Sequence, residues 1–327
     1  MITSTKRHNT MKRFLGWVII LTLAIVMTTS AAEAKGKDDG VLRILAIGNS
    51  FSDDGMEYLP LLLENMAVEN VEVARLYVGG CSLEQHVNFY KQNKAPYQFY
   101  YSATKRIKGN RAKTDIPLRA PEANLWQKSE GVSLVEALKW GEWDIVTMQQ
   151  VSGLSGIYDS YQPYLKELVA IVKKYQPEAK IAWQMTWAYS SDSHHGDFPR
   201  YERNQQKMLD AIYATVKQMM RDVEFDYIIP SGTAVQSLRL SSVNNTPLDL
   251  TRDGYHLDLG GGRYAAACVW YETLIKPFTH RSMVGNTLYT EQGNVKVTKD
   301  NAHYFHKAAK KAVKRPFKPR KVKCSKR

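Results

Sequence analysis

The sequence is poor in cysteine, with three residues of this type in a chain of 327. Three cysteines cannot form the set of disulfides that holds many small secreted domains together, although a single disulfide stays open. Their spacing matches none of the zinc-binding cysteine motifs. Cys81 and Cys268 stand in apolar surroundings, where we expect buried thiols. A disulfide scaffold is therefore excluded, and the fold must depend on a hydrophobic core.

The body of the chain lacks an excess of either charge, although the whole chain has a formal net charge of +13. Residues 35–305 carry 30 basic and 31 acidic side chains, whereas residues 306–327 carry eleven basic side chains and no acidic one. This distribution argues against a nucleic-acid-binding domain. Two interpretations of the basic tail stay open: a disordered, solvated segment, which we favour, or a contact with an anionic polysaccharide or membrane surface.

The N-terminus has the pattern of a secretory signal. Four basic residues precede an apolar stretch over Phe14–Val26, and Ala32-Glu33-Ala34 follows as a small-x-small cleavage site. The apolar stretch is short for a membrane-spanning helix, so an uncleaved anchor is the weaker alternative. No cysteine stands directly after this stretch, which argues against a lipoprotein. We predict a signal peptide over residues 1–34, cut near Ala34, and a periplasmic or secreted mature protein.

Strand and helix patterns alternate from residue 41 to residue 274. Short runs rich in Val, Ile and Leu predict five strands, and segments with helical spacing of apolar residues separate them. This alternation implies a largely parallel sheet. We predict an α/β fold, a three-layer sandwich in which a mostly parallel five-stranded sheet carries helices on both faces, as in flavodoxin-like folds. The predicted strands are Val41–Ile47, Val71–Val78, Asp144–Met148, Lys180–Met185 and Phe225–Pro230.

Two regions depart from the alternation. Residues 91–130 are rich in Tyr, Lys, Asn and Pro, and we interpret them as an insertion over one face of the sheet, with Tyr97–Ser102 as one strand of a hairpin. Residues 277–327 are interpreted as a small extension that contains a β addition, a basic helix over Asn301–Val313 and the basic tail. The predicted organisation is a signal peptide, one domain over residues 35–276 with this insertion, and the extension.

Polar residues and glycines follow the predicted strands at their carboxyl ends. Because ligands of open α/β sheets bind at that edge, we expect these groups to lie close together. Ester hydrolysis needs a nucleophile, a base, a group that orients the base, and donors for the oxyanion, and each of these parts is present. The groups are Ser50, Gly79-Gly80, Gln149-Gln150, the loop with Trp187 and Tyr189, and a later loop with Asp253 and His256.

Two of these stretches carry a resemblance to a known superfamily. Gly48-Asn49-Ser50-Phe51-Ser52 resembles the first motif block of the SGNH (GDSL-like) hydrolases, where Gly-Asp-Ser holds the nucleophile and Asn49 here replaces the Asp. Asp253-x-x-His256 is similar to the last block, and Gly80 stands where the second block places its oxyanion glycine. The pattern is similar to a branch of the superfamily catalogued as a domain of unknown function. It implies that Ser50 is the nucleophile, His256 the base and Asp253 the orienting acid.

The resemblance also implies an oxyanion hole, with one departure. Its backbone donors are expected to be the amides of Ser50 and Gly80. The third block of the superfamily usually reads Gly-x-Asn-Asp and supplies a side-chain amide, whereas this chain has Gln149-Gln150-Val151-Ser152-Gly153. A glutamine amide can make the same donation from a longer arm. Either Gln149 or Gln150 is a candidate, and we favour Gln150.

The resulting prediction is a secreted serine esterase that needs no cofactor or metal and removes O-acyl groups, such as acetyl, from carbohydrate. Its substrate is expected to be an acylated small molecule or glycan, bound with help from Asn49, Trp187 and Tyr189. His194-His195 is assigned to a solvated loop rather than a metal site. One alternative is a non-catalytic glycan-binding protein on the same fold. The other is a lipase or thioesterase, which needs an apolar groove that the polar insertion is poorly suited to form.

Overall fold

The centre of the structure, a computed structural model, is a seven-stranded β-sheet. The described residues are 39–104, 116 and 124–323, so the predicted signal peptide and Cys324 lie outside them. The strand order across the sheet is β4-β3-β2-β1-β5-β6-β7. The strands are β1 Leu42–Gly48, β2 Val71–Tyr77, β3 Tyr97–Ala103, β4 Gln127–Val132, β5 Ile145–Met148, β6 Lys180–Gln184 and β7 Tyr227–Ile229.

The five predicted strands are present and pair in parallel, which confirms the fold class. β1 lies at the centre, between β2 and β5, and is buried along its whole length. Its side chains alternate between the two faces: Leu45 and Ile47 join one core, and Ile44 and Ala46 join the other. A strand covered on both faces reads as a continuous apolar run, which is why β1 stands out in the sequence.

The two additional strands come from the region that we interpreted as an insertion over one face, and that interpretation is wrong. β3 pairs antiparallel with β2, and β4 pairs antiparallel with β3, so the region extends the edge of the sheet. Tyr97 and Phe99 alternate inward along β3, where the Phe99 ring packs 5.3 Å from that of Trp140. The predicted hairpin strand is confirmed.

Ten α-helices in the described part of the chain cover the sheet. α3 to α6 contribute to the core on one face, and α2, α7, α8 and α10 contribute to the core on the other. Ser82 and Ser133 cap α3 and α4 with complete capping boxes. The helices are α1 Ser50–Met56, α2 Leu59–Asn65, α3 Leu83–Lys91, α4 Leu134–Trp140, α5 Tyr164–Tyr175, α6 Gln205–Asp222, α7 Ser231–Arg239, α8 Gly261–Trp270, α9 Lys276–Thr279 and α10 Ala302–Lys314, with a π-helical turn at Tyr271–Ile275.

The C-terminal extension packs against this domain. The predicted basic helix is present as α10 and contacts α7 and α8. The predicted β addition is reduced to a single bridge between Thr290 and Val297. The expected disorder of the tail is wrong for residues 315–323, because Val322 is 1% exposed and its backbone N–H donates to Ser241 Oγ at 2.8 Å. Among the described helices, none combines the length and the apolar character needed to cross a bilayer.

Candidate active site

Ser50 lies at a sharp turn between β1 and α1. Asn49 caps α1, and Ser50 is the first residue of the helix. A Cβ atom on Gly48 would lie 2.4 Å from Ser52 Oγ and 2.9 Å from Ser52 Cβ, so the chain can fold back this tightly only at a glycine. The turn leaves Ser50 partly exposed at the carboxyl edge of the sheet.

Ser50, His256 and Asp253 form a continuous hydrogen-bonded chain. Ser50 Oγ lies 2.9 Å from His256 Nε2, and His256 Nδ1 lies 2.7 Å from Asp253 Oδ2. The other carboxylate oxygen of Asp253 accepts from the backbone N–H of His256 at 2.8 Å and of Tyr255 at 3.2 Å. Partial burial favours a higher pKa for Asp253, but these hydrogen bonds outweigh it and hold the pKa below its ordinary value. Asp253 therefore stays ionised and fixes His256 with Nε2 towards the serine.

A buried carboxylate on α1, Asp54, holds the loop that carries the acid and the base. Asp54 is 0% exposed, and its Oδ1 accepts from Arg252 Nη1 at 2.9 Å and Arg263 Nε at 2.8 Å. Its Oδ2 accepts from the backbone N–H of Leu257 at 2.8 Å. Arg252 immediately precedes Asp253 and Leu257 immediately follows His256, so Asp54 grips this turn at both ends. Because Asp54 lies one helical turn from Ser50, the same short helix sets the positions of the nucleophile and the base.

A second layer of charge surrounds α1 on the side of β2. Arg75 pairs with Asp53 at 2.9 Å and with Glu57 at 3.0 Å. Its guanidinium lies between the rings of Tyr100 and Trp126, 4.5 and 4.3 Å from their centroids. Burial raises the pKa of Asp53. Burial also favours a higher pKa for Glu57, but Arg75, the hydrogen bond from Asn124 and the charge of Arg263 together outweigh it and lower the pKa of Glu57. The strand β3, which adds Tyr100, and the segment before β4 thus help to hold the helix of the nucleophile.

Asn49 joins three strand ends through its side chain. Its Oδ1 accepts from the backbone N–H of Phe51 at 3.0 Å and from Gln149 Nε2 at 2.6 Å, and its Nδ2 donates to the Cys81 carbonyl at 2.9 Å. Asn49 is 1% exposed, so the structure gives it a positioning role and not the substrate contact that we predicted. An aspartate could not make the donation to Cys81, which accounts for the departure from Gly-Asp-Ser.

Two backbone N–H groups at the serine are available for an oxyanion. Within residues 39–104 and 124–323, the N–H groups of Ser50 and Gly80 donate to no protein acceptor. Gly80 is exposed and has a φ of +62°, a conformation that favours glycine. The bond from Asn49 to the next residue, Cys81, holds this loop beside the serine. These two donors are the ones that the superfamily resemblance implies.

Gln149 and Gln150 differ in whether the side-chain amide keeps an N–H group that could donate to an oxyanion. Gln150 accepts from the backbone N–H of Leu83 at 3.0 Å and of Val151 at 2.9 Å, and its Nε2 donates to Ser160. It therefore braces neighbouring loops, and the preference for Gln150 as an oxyanion donor has no support. Among the residues that the structure describes, Gln149 Nε2 has a single acceptor, Asn49 Oδ1, and keeps one N–H. Of the two candidates, Gln149 is the one with a donor to spare.

Trp187 and Tyr189, which we predicted to bind substrate, lie in the core instead, and both are 0% exposed. The Trp187 ring stacks on that of Phe51 at 4.3 Å, and its Nε1 donates to the Tyr255 carbonyl at 2.7 Å. The Tyr189 hydroxyl hydrogen-bonds Ser152 at 2.9 Å. The loop after β6 folds inward beneath the His256 turn, so its large aromatic side chains support that turn and do not face the substrate.

Tyr255 and His195, and not Trp187 and Tyr189, are the aromatic residues partly exposed beside His256. The Tyr255 ring lies 4.1 Å from that of His256 and 4.5 Å from that of His195, and both residues are partly exposed. Burial lowers the pKa of His195, and its Nδ1 accepts from the backbone N–H of Asp197. A neutral ring is thus placed beside the catalytic base. Sequence analysis missed Tyr255 although it lies inside the Asp253-x-x-His256 motif.

The described residues contain no group of three or more His, Cys, Asp or Glu side chains arranged to hold a metal ion. Cys81 and Cys268 are buried free thiols, as expected. The histidine pair discussed above is divided between an exposed His194 and the ring of His195 beside Tyr255. The site brings together the serine, the imidazole, the carboxylate and the two backbone donors.

Comparisons with known proteins agree with this architecture. The model of a family described as a domain of unknown function, DUF4886, matches residues 43–305. The crystal structure of a DUF4886 family protein from Bacteroides uniformis is 33% identical with a TM-score of 0.73, and the match covers 86% of this chain and 98% of that chain. No curated protein matches the chain.

Two solved structures with lower sequence identity also have lower TM-scores. A protein from Slackia heliotrinireducens, provisionally described as an SGNH hydrolase, is 20% identical with a TM-score of 0.43, over 71% of this chain and 98% of that chain. A catalytic mutant of an acetylxylan esterase from Geobacillus stearothermophilus is 10% identical with a TM-score of 0.42, over 71% of this chain and 93% of that chain.

Proposed function

The chain belongs to the DUF4886 family, and from that premise we propose that it is a serine esterase of the SGNH type. The observation that carries the proposal is the hydrogen-bonded chain from Ser50 through His256 to Asp253, with distances of 2.9 and 2.7 Å. Next to it are the backbone N–H groups of Ser50 and Gly80, which have no acceptor among the described residues. A nucleophile, a base, an orienting acid and an oxyanion site together support acyl transfer.

The mechanism follows from these positions. Ser50 Oγ attacks the acyl carbon of the ester while His256 Nε2 takes the hydroxyl proton, and Asp253 stabilises the imidazolium that forms. The N–H groups of Ser50 and Gly80 hold the negative oxygen of the tetrahedral intermediate. The intermediate collapses to an acyl-enzyme, and His256 returns the proton to the departing alcohol. Water, deprotonated by His256, then hydrolyses the acyl-enzyme to the free acid and restores Ser50.

We further propose that the substrate is an O-acyl group, such as acetyl, on a carbohydrate outside the cytoplasm. The partly exposed rings of Tyr255 and His195 beside the base support a flat, polar leaving group, because aromatic faces pack against sugar rings. Gly79 and Gly80 are exposed and carry no side chain, which leaves room for a bulky alcohol in their loop. The export part of the proposal depends on the signal pattern of residues 1–34.

Hydrolysis of p-nitrophenyl acetate by the wild-type protein and by Ser50→Ala tests the nucleophile. We expect activity in the wild type alone, together with labelling of Ser50 by a fluorophosphonate. Release of acetate from acetylated xylan would then test the substrate class, with p-nitrophenyl palmitate as the lipase comparison. Equal rates for wild type and Ser50→Ala on every ester would exclude a working Ser50 and favour the non-catalytic glycan-binding alternative.

A further inference from the structure

The last turns of α10 and the segment that follows the helix are strongly basic and yet well anchored. Residues 306–323 contain nine Lys or Arg side chains and no Asp or Glu. The backbone N–H of Arg320 donates to Ser237 Oγ at 3.0 Å, and that of Val322 donates to Ser241 Oγ at 2.8 Å. Phe317 packs with its ring 5.8 Å from that of Tyr213. The segment after α10 is therefore anchored on α6, on α7 and at Ser241, just after α7.

Five of these cations line one groove, which we call the basic groove. Its volume is about 600 Å³, and its lining residues are Lys307, Lys311, Arg320, Lys321 and Lys323. In the described part of the chain, no carboxylate forms an ion pair with Lys311, Arg320, Lys321 or Lys323. Like charges held together repel each other, and an anionic ligand relieves that repulsion.

The surroundings of α1 and the turn with Asp253 and His256, which we call the catalytic corner, contain cations that stabilise the fold. Arg75, Arg252 and Arg263 each pair with at least one buried or half-buried carboxylate. The basic groove has anchors for its backbone, but in the described part of the chain four of its five cations, all except Lys307, have no carboxylate partner. This contrast indicates that the groove cations are placed for an external partner.

We propose that the basic groove binds an acidic polysaccharide, a polymer that carries carboxylates at regular intervals. The groove has no aromatic lining residue on which nucleic-acid bases could stack. The large hydrophobic side chains exposed elsewhere, Met220, Leu240, Val284 and Tyr289, lie outside it, so it offers no apolar anchor for a bilayer. An open, solvent-accessible set of neighbouring cations suits a charged polymer chain. The choice of a polysaccharide, among polyanions, rests on the proposed function.

Binding of fluorescein-labelled polygalacturonate, followed by anisotropy, tests the proposal. We expect the triple variant Lys311→Gln, Arg320→Gln, Lys321→Gln to bind at least tenfold more weakly than wild type, and wild-type binding to weaken steeply with added salt. The matched control is the triple variant Lys94→Gln, Lys139→Gln, Lys166→Gln. It removes the same charge from exposed lysines just after α3, on α4 and on α5, respectively. The control should bind within twofold of wild type.

Three results would overturn the proposal: unchanged binding in the groove variant, an equal loss in the control variant, or stronger binding to phosphatidylglycerol vesicles or single-stranded DNA than to the polymer. Hydrolysis of p-nitrophenyl acetate should be the same in wild type and groove variant, because the groove takes no part in the chemistry. Polymer binding that persists in Ser50→Ala supports the groove by itself. Failure of the esterase and failure of the groove are thus seen in separate measurements.

Discussion

The catalytic corner and the basic groove use charge in opposite ways. At the corner, Asp54 is fully buried and satisfied by two arginines and a backbone N–H. At the groove, lysines and an arginine are exposed and lie beside one another. A buried ion pair is costly to break because the remaining charge has neither its partner nor water to stabilise it. Exposed charges contribute little to stability. The comparison teaches that the first set of charges fixes geometry, whereas the second is the set for which we propose a role in recognition.

The largest effect is expected at Asp54. Asp54→Ala leaves Arg252 and Arg263 without their shared partner and should reduce the free energy of unfolding by about 3–5 kcal/mol. Since the turn with Asp253 and His256 loses its tether, kcat/KM on p-nitrophenyl acetate should fall about 100-fold or more. Urea denaturation and steady-state kinetics measure the two quantities.

A conservative variant separates positioning from folding at Asp54. Asp54→Asn retains an oxygen for the N–H of Leu257 and should recover part of both losses. The rate of fluorophosphonate labelling of Ser50, measured where each variant is fully folded, reports on the Ser50–His256 pair alone. A labelling rate equal to wild type in Asp54→Ala would show that Asp54 serves stability only.

A smaller effect is expected at Asn49, where the polar side chain is buried but uncharged. Asn49→Asp removes the donor to the Cys81 carbonyl and places two acceptors against each other, a cost of about 1–3 kcal/mol. The Gly80 loop should shift, and turnover of p-nitrophenyl acetate should fall about 10-fold or more because an oxyanion donor is displaced.

Asn204→Asp is the matched control for that substitution. Asn204 caps α6 on the surface, and its side-chain oxygen accepts from the backbone N–H of Lys207. An aspartate at this position can accept the same hydrogen bond. The control should keep its stability and turnover. Full activity in Asn49→Asp would mean that the bond to Cys81 does not position the oxyanion loop.

The smallest effect on stability, and of opposite sign, is expected at the groove. The triple variant Lys311→Gln, Arg320→Gln, Lys321→Gln removes mutual repulsion, so its free energy of unfolding should equal that of wild type or exceed it by about 0.5 kcal/mol at low salt. The difference should vanish at high salt, where exposed charges are screened. A loss of 2 kcal/mol or more, on the scale of a lost buried contact, would place these cations with the structural charges of the catalytic corner.

The sequence was informative where local chemistry decides the structure. Ser50, Asp253 and His256 are identifiable because they stand in short local motifs that resemble the first and last blocks of the SGNH hydrolases, and the parallel strands predict that these motifs meet at one edge. Asp54 gave no such signal, because its partners Arg252 and Arg263 lie about 200 residues away and nothing in the sequence pairs them. Arg75 was hidden in the same way inside an otherwise ordinary strand pattern.

The misassigned aromatics show a second limit. Trp187 and Tyr189 follow a strand, and a position in a loop suggested exposure. Burial depends on how the whole loop folds beneath the His256 turn, which a local pattern does not encode. The same reason applies to the tail, where composition predicted disorder but Phe317 and Val322 supply the apolar contacts that attach it.

The edge strands of the sheet have a consequence for behaviour at high concentration. β4 reads Gln-Lys-Ser-Glu-Gly-Val, with Lys128 and Glu130 paired at 2.8 Å and Gly131 at a φ of +69°. β7, at the other edge, has only three residues. Charged, kinked or very short edges are poor templates for the strand of another molecule. We therefore expect a chain that resists edge-to-edge aggregation, although the central strand of its sheet is strongly apolar.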